Sequence, residues 1–353
     1  MAEHKFKFDV VIGNPPYQEE STGEGTHAPP IYHKFMEEAY KIANRVSFIT
    51  PARFLFNAGA TPKAWNRKML EDKHLKVEYF EQDSSKVFSN TNITGGVVVT
   101  YRDAETDFGA IGLFTAFPSL NAIIQKVGKI SRKNLSSIIY GHGIYKYTNV
   151  LHEDYPEAVN LLSKNHKYDI QSNAFNRLYF IFHDKKPDDG HDYIKCLGIQ
   201  NNTRVYKWVR RDYISAHASL DKHKVFLAKS NGASGMLTND GAVRMISTPL
   251  RGDPGVGTTS TFLTVGLFNT RKEAEAALKY IRSKFARALL GVLKVTQDNT
   301  SEIWKFVPLQ DFTNSSDIDW TQSGADIDRQ LAQKYGLNKK EIEFIETHLK
   351  ELA

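Results

Sequence analysis

The sequence predicts an α/β protein: a partial doubly wound, Rossmann-like sheet, followed by a mixed α+β domain and C-terminal helices. Two patterns predict this class. Near the N-terminus, strand-like apolar runs alternate with helical periodicity, which is typical of sheets with parallel strands. Further on, short strand-like runs are separated by glycine-rich turns. We therefore expect an α/β part at 1–105, a junction at 106–150, a second domain at 151–312 and a helical segment at 313–353.

The first predicted strand, FDVVIG at residues 8–13, is an almost continuous apolar run, which is the pattern of a parallel strand covered on both faces. A polar segment at 18–30 predicts a long loop. From Tyr32 to Ala43, apolar residues recur every three or four positions, which predicts an amphipathic helix. The other elements expected in this part are the strand RVSFITP, a helix at 63–73 and the strands LKVEYF and GGVVVTYR.

The second domain is aromatic and basic, and its strands are predicted from HKVFLAKSNGASG and GDPGVGTTSTFLTVGLF, which include glycine-rich loops. Thr270 and Glu273 predict a capping box at the start of one helix. The apolar stripe of that helix comprises Ala274, Ala277, Leu278, Ile281, Phe285, Ala288 and Leu289.

The C-terminal segment predicts two helices. The first carries Ile327 and Leu331 and ends at Gly336, and the second begins at a capping box made by Asn338 and Glu341. The residues that the second helix is expected to bury are Ile342, Ile345 and Leu349.

Composition limits the class of protein. The chain of 353 residues has a formal net charge of +6, which suits a polyanionic partner such as nucleic acid. Its one cysteine, Cys196, excludes an internal disulfide framework and fits a reducing compartment. No apolar run is long enough for a membrane span, and the residues MAEHKFKFD lack the apolar core of a signal peptide. The histidines show no ligand spacing with carboxylates. We expect a cytoplasmic protein with no membrane association and no metal site.

The stretch Asn14-Pro15-Pro16-Tyr17 follows the first strand directly, at the carboxyl end where ligands bind in open α/β sheets. These residue types suit methyl transfer to an amino nitrogen attached to a planar π-system, whose lone pair is delocalised. The side-chain oxygen of Asn14 and the carbonyl of Pro15 are two acceptors for its N–H groups, and the prolines hold them rigidly. Tyr17 has a ring that stacks on a flat substrate.

This stretch resembles the D/N-P-P-Y/F/W motif of S-adenosylmethionine-dependent amino-methyltransferases. In that family the loop lies beside the methyl group of the cofactor, which the resemblance implies for Asn14. The motif alone leaves DNA adenine, DNA cytosine-amino, RNA and protein-glutamine methyltransferases open, and asparagine at its first position favours adenine N6 or protein glutamine.

The rest of the chain resembles adenine-N6 DNA methyltransferases of restriction–modification systems. RVSFITPARFLF and EYFEQDSSKVFSNTNITGGVVVTYRD are similar to the strands that follow the motif in that family. The segment from Thr259 to Phe312 and IDRQLAQKYGLNKKEIEFIE are similar to its target-recognition region. The resemblance implies that Tyr17 and Phe88 sandwich a flipped adenine. It also implies that residues 1–105 are the catalytic part of the methyltransferase domain and that residues 151–312 recognise the DNA target.

A recognition domain needs cations for phosphates and amide or planar side chains for base edges. The residues expected to contact double-stranded DNA are Arg204, Lys207, Arg210, Arg211, Lys229, Ser230, Asn231, Arg244, Arg251 and Arg282.

The glycine-rich loop and the acidic ribose-binding residue of the family are not found in the sequence. We therefore expect an incomplete S-adenosylmethionine pocket and an exposed sheet edge beside the strand at 8–13. Possible partners are then a separate N-terminal methyltransferase half or a restriction subunit. The alternatives are a non-catalytic DNA-binding specificity module, or a methyltransferase that acts on RNA or protein glutamine.

Overall fold

The computed structural model describes residues 7–19, 28–57, 59–89, 93, 95–215, 217–230, 237–238, 241–294 and 297–352. The chain divides into two compact units, Met1–Asn121 and Ala122–Ala353. The division falls inside the predicted junction. It leaves the predicted recognition domain and the C-terminal helical segment together in the second unit.

The first unit contains a four-stranded sheet in the order β1-β2-β4-β3. β1 and β2 are parallel, and β4 is antiparallel to both of its neighbours. β1, β2 and β3 therefore run in one direction. The elements are β1 (Phe8–Gly13), α1 (Tyr32–Ile42), β2 (Ala43–Pro51), α2 (Lys63–Glu71), β3 (Leu75–Glu81) and β4 (Val97–Asp103).

The helices of this unit pack on one face of the sheet. Met36 of α1 and Trp65 of α2 share a buried cluster with Val46 and Phe48 of β2. The prediction that β1 is covered on both faces is wrong, because β1 lies at an edge of the sheet and its burial pattern is largely exposed. Its continuous apolar run resembles that of a central strand, but none of the described residues of this unit packs on its second face. The predicted exposed edge is confirmed.

The second unit is mixed α+β. Its larger sheet has the order β11-β10-β13-β5, and smaller sheets have the orders β12-β7-β8 and β6-β9. Its strands are β5 (Ile139–Tyr140), β6 (Lys146–Tyr147), β7 (Tyr193–Gln200), β8 (Thr203–Arg210), β9 (Ile214–Ser215), β10 (His223–Ala228), β11 (Leu250–Gly252), β12 (Val256–Thr258) and β13 (Phe262–Phe268). Its helices, with one that spans the unit boundary, are α3 (Pro118–Ile130), α4 (Asn149–Asp154), α5 (Ala158–Leu161), α6 (Ala174–Arg177), α7 (Arg271–Arg282), α8 (Lys284–Leu290), α9 (Gly324–Lys334) and α10 (Lys339–His348).

The helix predicted to run through Phe285 and Leu289 is two helices. The chain breaks at Ser283, which has extended backbone angles and accepts a hydrogen bond from the N–H of Ala286, so it caps α8. At the start of α7, Thr270 caps the N–H of Glu273 as predicted. The Glu273 carboxylate accepts from the N–H of Asn269, one residue before the expected position.

The C-terminal helices agree with the sequence pattern in most details. Gly336 follows α9 with a positive φ of 61°, and Asn338 and Glu341 form the predicted capping box of α10. Ile345 and Leu349 are buried, but Ile342 is 39% exposed, so its predicted burial is wrong. The α/β class of the chain is confirmed.

Candidate functional site

Three loops of the first unit leave the sheet at the same end of its parallel strands. Because β1, β2 and β3 run in the same direction, the segments that follow Gly13, Pro51 and Glu81 all leave from the carboxyl ends of their strands. The Asn-Pro-Pro-Tyr motif follows β1. The motif, the end of β2 and the segment that leads to Phe88 therefore all lie at the carboxyl ends of these parallel strands.

The motif alternates between exposed and buried positions. Gly13 pairs with Phe48 of β2, and a Cβ atom at Gly13 would lie 3.6 Å from the Phe48 ring. Asn14 and Pro16 are exposed, whereas Pro15 is buried. The Asn14 side chain is thus presented to solvent from a turn that a buried proline anchors.

The backbone around Tyr17 is tied to the residues just before α1. The N–H of Ile31 donates to the Tyr17 carbonyl at 3.0 Å, and the N–H of Glu19 donates to the Pro29 carbonyl at 3.0 Å. The two ends of the predicted loop at 18–30 therefore lie side by side. Part of that loop, residues 20–27, is outside the described residues.

The Tyr17 side chain is half-buried and packs against the apolar cluster under the sheet. Its hydroxyl is buried and has no hydrogen-bond partner within the described residues. Burial raises the pKa of Tyr17 above its ordinary value. The phenol is therefore neutral at physiological pH, and its ring is held from one side by the core.

Aromatic rings from α1, the turn after β2 and α2 contact one another in the first unit. The Trp65 ring lies 5.2 Å from that of Phe54, 5.5 Å from that of His33 and 6.1 Å from that of Tyr32. Each pair is edge-to-face, a favourable geometry. This cluster supports the helix that follows Tyr17.

Phe88 lies in the segment after β3 and is half-buried. Its N–H donates to the Ser84 carbonyl at 2.8 Å, and the Ser84 hydroxyl accepts from the N–H of Ile93 at 2.8 Å. Gly96 permits this arrangement, since its φ is +80° and a Cβ atom there would lie 2.3 Å from the Glu81 carbonyl oxygen.

Tyr17 and Phe88 start from opposite edges of the sheet. β1 and β3 are three strand positions apart, or about 14 Å. A base between two rings needs them about 7 Å apart. The predicted sandwich would require both segments to lean over the ends of β2 and β4. Neither ring contacts another aromatic ring within the part of the chain that the structure describes.

Arg53 was not identified from the sequence, yet it follows β2 at the same edge. Its side chain packs on Gly59 and Gly95, where added Cβ atoms would lie 3.1 Å and 2.8 Å from it. Both glycines have positive φ. A basic residue shortly after the proline that ends a strand is the only signal the sequence offered.

Some of the cations expected to contact DNA are held in ion pairs within the second unit. Their charges are balanced locally, and their role in DNA binding stays a prediction. The ion pairs are Lys207 with Asp184 (2.5 Å), Arg210 with Asp154 (2.8 Å) and Asp212 (2.5 Å), Arg211 with Asp221 (2.6 Å), and Arg251 with Asp253 (3.1 Å) and Glu275 (2.6 Å).

Arg204 and Arg282 have no carboxylate partner among the described residues. Arg204 donates to the Thr248 carbonyl at 2.7 Å, and Arg282 donates to the Pro249 carbonyl at 3.2 Å. Burial without an acidic partner lowers the pKa of both guanidinium groups from the ordinary arginine value. Both still carry a full positive charge at neutral pH.

The remaining predicted contacts lie at the surface. Arg244, Lys229 and Ser230 are exposed, and Asn231 lies outside the described residues. The carbonyl of Arg244 accepts a hydrogen bond from the buried Arg287 at 3.2 Å. The segment 244–249 therefore has carbonyl groups bound by arginines from three separate elements.

No helix in the described part of the chain is long and apolar enough to span a bilayer. The residues that the structure describes contain no group of three or more His, Cys, Asp and Glu side chains arranged to hold a metal ion.

Known proteins are similar to the N-terminal part of the chain. Residues 2–88 match the family model of the Eco57I restriction-modification methylase. An uncharacterized adenine-specific methylase of Mycoplasma pneumoniae (strain ATCC 29342 / M129 / Subtype 1) is 32% identical over 94 residues, which cover 26% of this chain and 22% of that protein. The chain thus matches about a fifth of that relative. The resemblance to restriction–modification adenine methyltransferases is confirmed over this part.

Two solved structures align with most of the chain at low similarity. The type IIG restriction endonuclease BpuSI has a TM-score of 0.33 and 10% identity, over 93% of this chain and 49% of that chain. The type IIL restriction-modification enzyme MmeI, in complex with DNA, has a TM-score of 0.29 and 10% identity, over 96% of this chain and 56% of that chain.

Proposed function

We propose that this chain is the base-binding and DNA-recognition part of an adenine-N6 DNA methyltransferase of a restriction–modification system. One observation carries the proposal. Asn14 is exposed directly after the carboxyl end of β1, on a turn anchored by the buried Pro15, inside the segment that matches the methylase family. This is the geometry that an acceptor for an amino group needs.

The turn activates the amino nitrogen of adenine by accepting hydrogen bonds from its two N–H groups. The Asn14 side-chain oxygen and the Pro15 carbonyl accept one N–H each, which draws the nitrogen toward a tetrahedral geometry and localises its lone pair. The acceptors are fixed before the substrate arrives, so little reorganisation is needed. Tyr17 and Phe88 hold the flipped base from its two faces.

S-adenosylmethionine supplies the methyl group in this chemistry, but the described residues do not enclose a site for it. Asn14 and Pro16 are open to solvent, and Ile12, two residues before Asn14, is 75% exposed. None of the described residues of this unit walls the site on the β1 side. We therefore assign the donor pocket to a segment that packs against β1.

That segment supplies both a strand and a cover for the open face of the sheet. Val10, Ile12 and Tyr79 lie on the face opposite the helices and are 52%, 75% and 48% exposed. The outer edge of β1 is unpaired within its sheet. A methyltransferase half with a strand beside β1 would pair with the unpaired backbone N–H and C=O groups of β1 and bury these side chains. It can belong to the same polypeptide or to another.

The second unit contacts double-stranded DNA through cations that have no carboxylate partner among the residues the structure describes. Arg204 and Arg282 are two of these, and the exposed Arg244 and Lys229 add to the same charge. Because phosphate contacts release counterions, the affinity for duplex DNA should fall steeply with salt.

The test is co-expression of this chain with the coding sequence immediately upstream, in a host that lacks adenine methylation. Mass spectrometry of digested genomic DNA should then detect N6-methyladenine, and calorimetry of this chain alone should detect no S-adenosylmethionine binding. Tight binding of the cofactor by this chain alone would contradict the incomplete pocket.

The other outcomes identify the alternatives. Methylation of RNA or of a peptide glutamine, with unmodified DNA, would replace the adenine assignment. Salt-dependent DNA binding without methylation of any substrate would indicate a specificity module whose methyltransferase part is inactive.

A further inference from the structure

A cavity of about 410 Å³ lies in the second unit, where the bend between α7 and α8 faces the first turn of α9. Its size is within the range of ligand pockets. The lining residues that matter here carry positive charge or free backbone N–H groups, and they are Lys279, Arg282, Lys284, Arg287, Gly324 and Ala325.

Two of the four lining cations are already balanced. Lys284 forms an ion pair with Glu346. Arg287 is fully buried, donates to the carbonyls of Arg282 and Ser283 at 2.9 Å and 3.2 Å, and is close enough to Asp328 to interact with its charge. These two cations leave no excess charge in the cavity.

The other two cations, Lys279 and Arg282, have no ion pair within the described residues. The Lys279 ammonium donates to the backbone carbonyls of Trp320, Thr321 and Gln322 at 2.8, 3.1 and 3.0 Å. Carbonyls orient this group, and the carboxylate of Asp319 is close enough to interact with its charge. Arg282 is then the lining cation that has no carboxylate near it within the described residues.

The lining carboxylate of Asp328 does not offset the charge of Arg282. Its two oxygens accept the N–H groups of Lys284 and Phe285 at 3.1 Å and 2.9 Å, so they are engaged at the start of α8. The charge of Asp328 is set against the nearby Arg287. The Glu351 carboxylate also lines the cavity and acts on Arg287.

Arg282 has hydrogen-bonding capacity that the fold does not use. Its Nη2 donates to the Pro249 carbonyl, but its Nε is buried and has no partner within the part of the chain that is described. A buried N–H without an acceptor is costly. Gly324 and Ala325 also line the cavity, and the first amides of a helix have no partner inside it.

We propose that this cavity binds a phosphate group, which accepts hydrogen bonds from Arg282 and from the first-turn amides of α9. A guanidinium presents parallel N–H donors that match two phosphate oxygens. The phosphate comes either from the DNA backbone or from a phosphate-bearing small molecule. This inference does not depend on methyl transfer, since none of its residues lies in the first unit.

The test is a titration of the full chain with inorganic phosphate and with pyrophosphate, followed by thermal unfolding and calorimetry. We expect saturable stabilisation of the wild type and binding at least tenfold weaker in Arg282→Gln. Arg271→Gln is the matched control, because Arg271 lies on the same helix but is exposed and pairs with Glu275. It should bind phosphate like the wild type.

Absence of saturable binding to the wild type, or equal binding to Arg282→Gln, would overturn the proposal. If Arg282→Gln does not fold by circular dichroism, Arg282→Lys serves in its place. It keeps the charge but loses the planar fork, and several-fold weaker phosphate binding is expected, whereas unchanged binding would overturn the assignment.

The source of the phosphate follows from DNA binding by the same variants. For a backbone phosphate, Arg282→Gln should lower the slope of log affinity for duplex DNA against log salt by about 0.9. An unchanged slope, together with lost binding of free phosphate, would assign the site to a small molecule.

Discussion

The peptide N–H of Ile31 donates a 3.0 Å hydrogen bond to the carbonyl oxygen of Tyr17. This bond joins the end of the Asn-Pro-Pro-Tyr turn to the residue before α1, and α1 packs on the same sheet that carries the turn. The turn is thus fixed at both ends, by Gly13 in β1 and by α1. A fixed turn is what the proposed use of Asn14 and Pro15 requires.

Replacement of Asn14 by alanine should reduce adenine methylation by about 100-fold or more, because it removes one of two fixed acceptors. Asn14 is exposed, so the unfolding temperature should not change. The measurement is N6-methyladenine formation in the co-expression assay. Asn14→Asp keeps an acceptor oxygen and should retain part of the activity. Full activity in Asn14→Ala would exclude the proposed role.

Replacement of Ile12 by lysine should reduce self-association of the isolated chain, since Ile12 is an exposed apolar side chain on an unpaired edge strand. The stability of the chain should be nearly unchanged. Light scattering over a concentration series measures the effect. Tyr179→Lys is the control, because Tyr179 is 71% exposed but lies in the second unit. Equal effects of the two changes would mean that β1 is not the surface through which the chain self-associates.

Gly96→Ala should destabilise the chain more than Gly109→Ala. The two glycines have φ angles of 80° and 79°, both in the left-handed region that L residues rarely adopt, so alanine is strained at either position. At Gly109 nothing lies within 4 Å of the added Cβ, but at Gly96 it would meet the Glu81 carbonyl at 2.3 Å. We expect losses of about 1 kcal/mol at Gly109 and about 2–4 kcal/mol at Gly96, measured by urea unfolding. Equal losses would show that the segment after β3 moves to accommodate the added methyl group at no cost in unfolding free energy.

Lys224 should make stability depend on pH. Its ammonium is buried and donates to the carbonyls of Ser219, Leu220, Lys222 and Asp253 at 2.8, 3.0, 3.0 and 3.0 Å. Burial lowers the pKa of Lys224 to about 7. Above that pH the unfolded state binds the extra proton, so stability rises up to the ordinary lysine pKa and is lost as the pH falls through 7.

The measurement is the difference in unfolding free energy between the wild type and Lys224→Met, by urea titration between about pH 7.5 and pH 9. As the pH rises, this difference in unfolding free energy should increase in favour of the wild type by up to about 1.4 kcal/mol per pH unit. A difference that does not change with pH would show that the carbonyl oxygens keep Lys224 charged throughout.

Arg204 and Arg210 should differ in their effect on DNA binding. Arg204→Gln removes a charge without a carboxylate partner and should lower the salt slope for duplex DNA by about 0.9. Arg210 is paired with Asp154 and Asp212, so Arg210→Gln should leave the slope unchanged and cost about 1 kcal/mol of stability. A larger change in salt slope for Arg210→Gln than for Arg204→Gln would mean that ion pairing within the chain does not decide which arginines contact DNA.

The sequence by itself determined the local features of the protein. The strand at Phe8–Gly13, the helix from Tyr32 and the capping box at Asn338 are visible in the sequence because periodicity and caps involve neighbouring residues. The motif at residues 14–17 was visible for the same reason. The break at Ser283 was missed, because serine within a continuous apolar stripe does not reveal that it caps a second helix.

Only the tertiary structure decided which groups are covered and which charges are balanced. The apolar run of β1 predicts burial, but its second face is open because burial depends on segments far away in the chain. Arg210 and Arg282 look alike in the sequence. One meets Asp154, 56 residues away, and the other meets no carboxylate in the described residues. Such partners are brought together by folding, and residue order alone does not specify them.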